Sequence, residues 1–391
     1  MGERGPRFNG IERHVLGRET MRPAYAGGGA ILAGVGLARF AYVPLFPAMV
    51  AAGWVDGAEA GLLGAGNFAG YLIGVLLGRR LAARIGVPRA LDAGMGLAAI
   101  AFAACAFEGG LAWLMAWRAL AGMAGGVLMA LAGPAVQASV PPARRGAASG
   151  IVMTGVGTGV VAGGLAVPLL LAGGVPLAWL GLAAATAFIW AACRGNWPDP
   201  PALPAEAAVQ AAPRAGRLLV AYALSGAGMV APMVYLSDLA VRGRGLPIEA
   251  GSAVWVGFGL GALLGTLLGG RLAQRVGGRL ALLVWMGVQV AALAAALVPA
   301  WPALVLAGPL SGFAGVGATA VTLVAAREVA GAQAGVIWVR ATAAYAVAQV
   351  GFSFALAALF GATGDSHAAV FGVGFALSLA ALWVAWIGRK G

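Results

Sequence analysis

Charged side chains make up 10% of the 391 residues, and only 13 of them are acidic. Soluble domains carry about 25% charge, so this chain cannot build a water-facing surface, and an ordinary soluble enzyme is excluded. There are two cysteines. Cys105 lies inside a predicted apolar span and Cys193 at the end of another, which leaves no disulfide framework and no metal cluster. Both histidines, His14 and His367, fall outside the predicted spans. No His/Glu metal set, paired membrane carboxylates or phosphate loop is present, so no metal or cofactor is expected and a membrane enzyme lacks its catalytic constellation. Residues 1–22 contain no apolar core, so the first span, and no cleavable leader, is expected to direct insertion. A membrane receptor or scaffold would normally add a soluble signalling extension, and none is expected here.

What is abundant is apolar: 61% of residues are hydrophobic and 65 are glycine. That composition also excludes disorder, which needs low hydrophobicity. A membrane-crossing helix needs about 20 mainly apolar residues. Twelve stretches qualify, at 24–52, 59–78, 90–107, 111–135, 147–171, 175–193, 217–240, 249–269, 280–299, 302–326, 334–360 and 368–388. Runs such as Leu91 to Phe107 do not alternate as a barrel strand would. The expected fold class is all-α, a polytopic membrane protein of twelve helices.

The basic residues orient it. With both termini inside, 20 of the 25 cations fall on the cytoplasmic side, as retention of Lys and Arg in short inner loops requires. Multi-pass insertion in a bacterial inner membrane with cytoplasmic termini is expected. The net charge of +12 is then explained by topology and by anionic lipid, and nucleic acid is not an expected partner.

An internal repeat divides the chain. Gly70 to Gly86 reads GYLIGVLLGRRLAARIG and Gly261 to Gly277 reads GALLGTLLGGRLAQRVG, with eleven of seventeen positions identical at an offset of 191. Each copy closes the second span of its half, so the halves are parallel repeats, an architecture that holds substrate near the midplane. The expected division is an N-terminal segment 1–23, a six-helix bundle 24–193, a proline-rich cytoplasmic linker 194–216, a second bundle 217–388 and a tail 389–391. A functional monomer is expected. Glycines at four-residue spacing let helix backbones approach closely, and Pro44, Pro47, Pro134, Pro232 and Pro309 predict kinks.

These loops resemble the signature of the major facilitator superfamily, Gly-x-Leu-Ala-Asp-Arg-x-Gly-Arg-Arg. Leu81, Ala82, Arg84 and Gly86 match in the first half, and Gly270, Leu272, Ala273, Arg275, Gly277 and Arg279 in the second. Gly36, Arg39, Phe40, Tyr42, Pro44 and Pro47 resemble the opening of its YbfB/YjiJ-like branch. The resemblance implies transport of a small solute by alternating access, with Gly78, Arg80, Arg84, Gly86, Arg271, Arg275 and Gly277 forming cytoplasmic gating loops. Two departures bear on mechanism. The signature Asp is replaced by Ala83 and Gln274, and the Gly-Pro of antiporters is replaced by Gly159-Val160, which weakens proton antiport.

Three arginines, Arg39, Arg118 and Arg340, fall inside predicted spans, where charge is costly. Arg39 lies about 22 Å from the cytoplasmic edge, too deep to snorkel. Arg118 faces Gly122 and Gly125, which leave room for a helix or a ligand. Arg340 is near enough to the edge to snorkel. A guanidinium binds carboxylate or phosphate through a planar fork, so Arg39 and Arg118 are candidate sites for an anionic substrate group. Tyr42, Asn67, Tyr235 and Gln349 are secondary candidates; Tyr71 and Tyr345 share faces with Asn67 and Gln349. Asp92 and Asp238 lie near span ends, so no buried carboxylate or imidazole proton carrier is expected. The leading expectation is a carrier of small organic anions; the alternative is a proton-coupled exporter of amphipathic or drug-like compounds.

Overall fold

The computed structural model describes residues 20–200 and 215–389. Most of the N-terminal segment, including His14, most of the linker and the last two residues lie outside the described residues. Among the described residues twelve helices are long and apolar enough to cross a membrane: α1 Arg22–Ala51, α2 Gly57–Ile85, α3 Val87–Cys105, α4 Gly110–Ser139, α5 Pro142–Leu171, α6 Gly174–Cys193, α7 Gly216–Gly243, α8 Ile248–Val276, α9 Gly278–Leu297, α10 Trp301–Ala330, α11 Ala334–Ala362 and α12 His367–Gly388. No strand occurs among the described residues. Because the helices alternate in direction, one end of the bundle, here the basal end, carries both chain ends and the basic loops. The other is the distal end.

Helices α2 and α8 run past their apolar stretches through the basic residues. Helical hydrogen bonding does not need an apolar side chain, so α2 stops only at Gly86 (φ 86°) and α8 only at Gly277 (φ 91°). These glycines are equivalent in the repeat, and both adopt a conformation that L side chains avoid. At its distal start α2 has a capping box: Glu59 N–H donates to Asp56 Oδ1 at 2.8 Å and Asp56 N–H donates to Glu59 Oε2 at 2.9 Å.

The repeat is also visible in packing. Gly70 lies against the backbone of Ala119, and its counterpart Gly261 against that of Pro309, so α2 crosses α4 as α8 crosses α10. A side chain at either glycine would overlap main-chain atoms of the neighbour. Close backbone approach through small residues replaces hydrophobic drive between helices in lipid.

Helices α1 and α7 are not continuous. In α1, regular helix (Arg22–Ile31) widens into a π-turn (Leu32–Leu37) and breaks at residues 38–41 before resuming at Tyr42–Ala51. Helix α7 breaks at Met229, between Gly216–Gly228 and Val230–Asp238, and ends in a π-turn, Leu239–Gly243. Met229 stands where Ala38 does at the offset of 191. Prolines follow both breaks: Pro44, Pro47 and Pro232 lack the N–H that would bond the carbonyl four residues earlier. By contrast, Pro134 and Pro309 sit inside uninterrupted helices, where no break accompanies the expected kink.

The two halves meet through α2 with α11, α5 with α8, and the distal part of α1 with that of α7. The basal parts of α1 and α7 make no comparable contact among the described residues. At the distal end Gly61 packs against Ala357 and Tyr235, and Gly361 against Ala58. The halves are therefore joined distally and apart basally along α1 and α7.

Candidate functional site

The break in α1 places backbone polar groups in the bundle interior, and each needs a partner. Ala38, the first residue of the break, presents its carbonyl to two side chains. Arg118 Nη1 donates to it at 3.1 Å and Asn67 Nδ2 at 3.2 Å. Asn67 Nδ2 also reaches the Arg118 carbonyl at 2.9 Å. Arg118 is 0% exposed, and its guanidinium carbon lies 4.6 Å from the ring centre of Tyr42. Tyr42 in turn donates its hydroxyl to Ala60 O at 2.8 Å. Arg118, Asn67 and Tyr42 thus form one buried brace that ties α4 and α2 to the broken helix. The space beside Arg118 at Gly122 and Gly125 is filled by the backbones of α2 and α1.

Helix α7 has its own brace. Gln289 of α9 donates through Nε2 to Ser225 O at 3.0 Å and to Ser378 Oγ at 2.8 Å, while its Oε1 accepts from Ser225 Oγ at 2.6 Å. All three are buried.

Arg39 leaves the same break in another direction. Its Nη2 donates to Gln349 Oε1 of α11 at 2.9 Å, linking the two halves. Gln349 Nε2 points to Met233 Sδ at 3.2 Å. The guanidinium carbon lies 4.1 Å from the ring centre of Phe68, 4.5 Å from Tyr71 and 5.2 Å from Phe40. Arg39 Nε has no hydrogen-bond partner, and no carboxylate pairs with Arg39 or Arg118 among the described residues. Unlike Arg118, Arg39 is only partly buried. In the second half Tyr345 packs tilted against Tyr222 with ring centres 4.6 Å apart, and the Tyr345 hydroxyl is buried without a partner. Arg340, in the first turns of α11, is partly exposed and lies apart from Gln349.

The six candidate residues therefore divide. Arg39 and Gln349 meet between the halves; Arg118, Tyr42 and Asn67 brace one half; Tyr235 lies distally, packed on Phe46 at 5.6 Å and Phe360 at 5.0 Å with its hydroxyl unpartnered.

One expectation is corrected. A buried carboxylate and a buried imidazole do exist: Asp238 is 0% exposed, His367 is 8% exposed, and His367 Nε2 lies 2.7 Å from Asp238 Oδ2. Linear sequence placed His367 in a loop because hydropathy cannot show that the first turn of α12 folds back onto the end of α7. Asp92 has a structural use: its Oδ1 accepts from Trp190 Nε1 at 2.6 Å and Trp197 Nε1 at 2.9 Å.

At the basal end Arg80, Arg84, Arg271 and Arg275 are exposed, without ion-pair partners among the described residues. Gly78 is buried against α4, while Gly86 and Gly277 form the turns. A residue the signature did not indicate holds the second turn: Glu328 of α10 accepts from the backbone N–H of Gly278 and, at 3.0 Å, of Arg279, at the start of α9.

The whole chain is similar to solved transporters. A bacterial homolog of the human lysosomal transporter Spinster, in an inward-facing and occupied conformation, superposes with a TM-score of 0.70 at 14% identity, covering 94% of this chain and 96% of that one. A bacterial Spinster homolog in an inward-facing and unoccupied conformation gives 0.66 at 15% identity over 95% of this chain and 96% of that one. A D-xylose-proton symporter gives 0.68 at 14% identity over 94% and 97%. At such identities the likeness shows the fold alone. No curated protein matches the sequence. A family model described as "Uncharacterised MFS-type transporter YbfB" matches residues 31–385. With its twelve helices, two repeats and paired basic turns, the chain belongs to that family of major facilitator transporters.

Proposed function

We propose that this transporter carries small organic anions by alternating access and that Arg39 is the cation that receives them. The observation that carries the reading is the state of Arg39. A guanidinium deep in the bundle, where charge is costly, has one neutral amide as hydrogen-bond partner, an unpartnered Nε and aromatic walls. A half-buried cation at this depth, walled by aromatic rings, favours a counter-charge, and a substrate carboxylate or phosphate would supply it through the planar fork. Gln349 and the Tyr71 and Tyr345 hydroxyls stand beside it to orient the rest of the solute. Arg118, whose Nε and Nη2 likewise have no hydrogen-bond partner, is assigned to the brace because it is wholly buried, with Nη1 on Ala38 O and the guanidinium over Tyr42, and does not reach the interface between the halves.

Movement follows from the contacts. The halves are joined distally, so the Arg39 locus is reached from the basal end in this conformation, and rocking about α2–α11 and α5–α8 would expose it distally. In this reading the basal end and both termini face the cytoplasm of a bacterial inner membrane, supported by the excess of cations at that end, and the unit of function is a monomer. A thermal-shift screen of purified protein against anionic and cationic metabolites tests the substrate class. Organic anions should stabilise wild type and lose at least about tenfold in affinity on Arg39→Ala, the worth of a charge-assisted hydrogen bond. A response confined to cations and untouched by the substitution would reverse the assignment.

A further inference from the structure

The geometry points to a proton-binding site at Asp238 and His367, loaded through the distal face, whose charge is felt by the seal between the two halves. This rests on the transporter fold and not on the anion reading of Arg39. Four side chains form one hydrogen-bonded cluster. Asp238 Oδ2 accepts from Arg242 Nη1 at 3.3 Å and lies 2.7 Å from His367 Nε2, and the other terminal nitrogen of Arg242 pairs with Asp365. With a neutral imidazole, two carboxylates face one guanidinium and the cluster carries one net negative charge. One proton, given up by a hydronium ion in distal water and taken by the lone pair of the free ring nitrogen of His367, makes the cluster neutral and leaves a water molecule behind. Asp238 is wholly buried and its Oδ1 has no partner, so the one guanidinium it shares with Asp365 leaves its carboxylate only half satisfied.

A path to the site exists. A cavity of about 330 Å³ lies beside His367, lined also by Leu239, Gly243, Arg244, Leu297 and Pro299. The other polar groups around the cluster are already engaged or lie at its edge. Arg244 donates to Ala296 O and Val298 O, both at 2.8 Å. Ser237 Oγ donates to Gly251 O at 3.1 Å. Asp56 and Glu59 cap α2, Glu249 at the start of α8 is exposed, and the Tyr235 hydroxyl lies one turn before Asp238. Helices α9 and α12 contribute apolar side chains to the cavity wall.

The seal touches this cluster in two ways. Asp365 rests on Gly57, the first residue of α2, where a side chain would overlap its carboxylate. Phe360 lies edge-on to His367 at 5.0 Å and joins it to Tyr235, which meets Phe46 of α1. A change of charge at the pair therefore reaches both α1 and α2 of the other half.

The chain holds two histidines, so full-length protein with His14→Gln, labelled with 15N-histidine in lipid nanodiscs, shows the His367 ring alone. Between about pH 8 and pH 5, the range in which imidazole charge ordinarily changes, the ring should pass reversibly to its doubly protonated pattern. Asp238→Asn, which removes the carboxylate facing Nε2, should displace the midpoint. Spin labels at Ala52→Cys and Ala362→Cys, at the distal ends of α1 and α11, should change separation with the same midpoint and lose that response in His367→Gln. A ring unchanged over the range, a midpoint indifferent to Asp238→Asn, or a separation that tracks pH equally in His367→Gln would overturn the proposal.

Discussion

Arg39 and Arg118 both stand where charge is expensive, yet the protein uses its own backbone to hold only one of them. Arg118 is spent on Ala38 O and on Tyr42, with Asn67 donating to the same carbonyl. Replacing it by Met keeps the volume and removes a buried charge, a change that is often neutral or stabilising. The account predicts that Arg118→Met retains wild-type affinity for any organic anion found in the screen, with a thermal midpoint within a few degrees. Asn67→Leu should cost more, about 1–3 kcal/mol, because it removes the one neutral donor shared by Ala38 O and Arg118 O; a thermal melt checks it. Both arginines were legible in the sequence as cations inside apolar runs. Which faced the interface was not, since the break at residues 38–41 redirects Arg39 in a way that a 3.6-residue period does not describe. The same limit hid the Asp238–His367 pair, whose partners are 129 residues apart.

At the scale of elements, the sequence was most informative where local chemistry decides structure. Twelve apolar runs became twelve helices, and the duplicated Gly86 and Gly277 became duplicated turns. Helix ends were less legible: α2 and α8 extend through Arg79, Arg80, Arg271 and Arg275 because the backbone stays helical until a glycine with positive φ releases it. Gly277→Ala should therefore lower stability by about 1–3 kcal/mol, the cost of an L residue in a sparsely populated region, measured as a drop in thermal midpoint against Gly287→Ala, a helical glycine with nothing packed on it. The interruptions of α1 and α7 went unread because hydropathy averages over them. Prolines pointed to the right helices, but the breaks lie a few residues before them, where Arg118 and Asn67 in one half, and Gln289 with Ser225 in the other, hold the exposed polar groups.

For the whole molecule, the arrangement of contacts is a statement about motion. The distal parts of α1 and α7 pack together and their basal parts make no comparable contact among the described residues, with Arg39 and Gln349 bridging the halves between the two ends. Ala83 and Gln274, the positions that replace the signature aspartate, are exposed at the basal ends of α2 and α8, one in each half, while the native cysteines are buried. Spin labels at Ala83→Cys and Gln274→Cys therefore report basal closure. The decisive measurement is the distance between them with and without a saturating organic anion identified by thermal shift. The account predicts that the anion shortens it in otherwise native protein and leaves it unchanged when Arg39→Ala is added. An unchanged distance in the first case, or equal shortening in the second, would contradict a carrier driven by charge at Arg39.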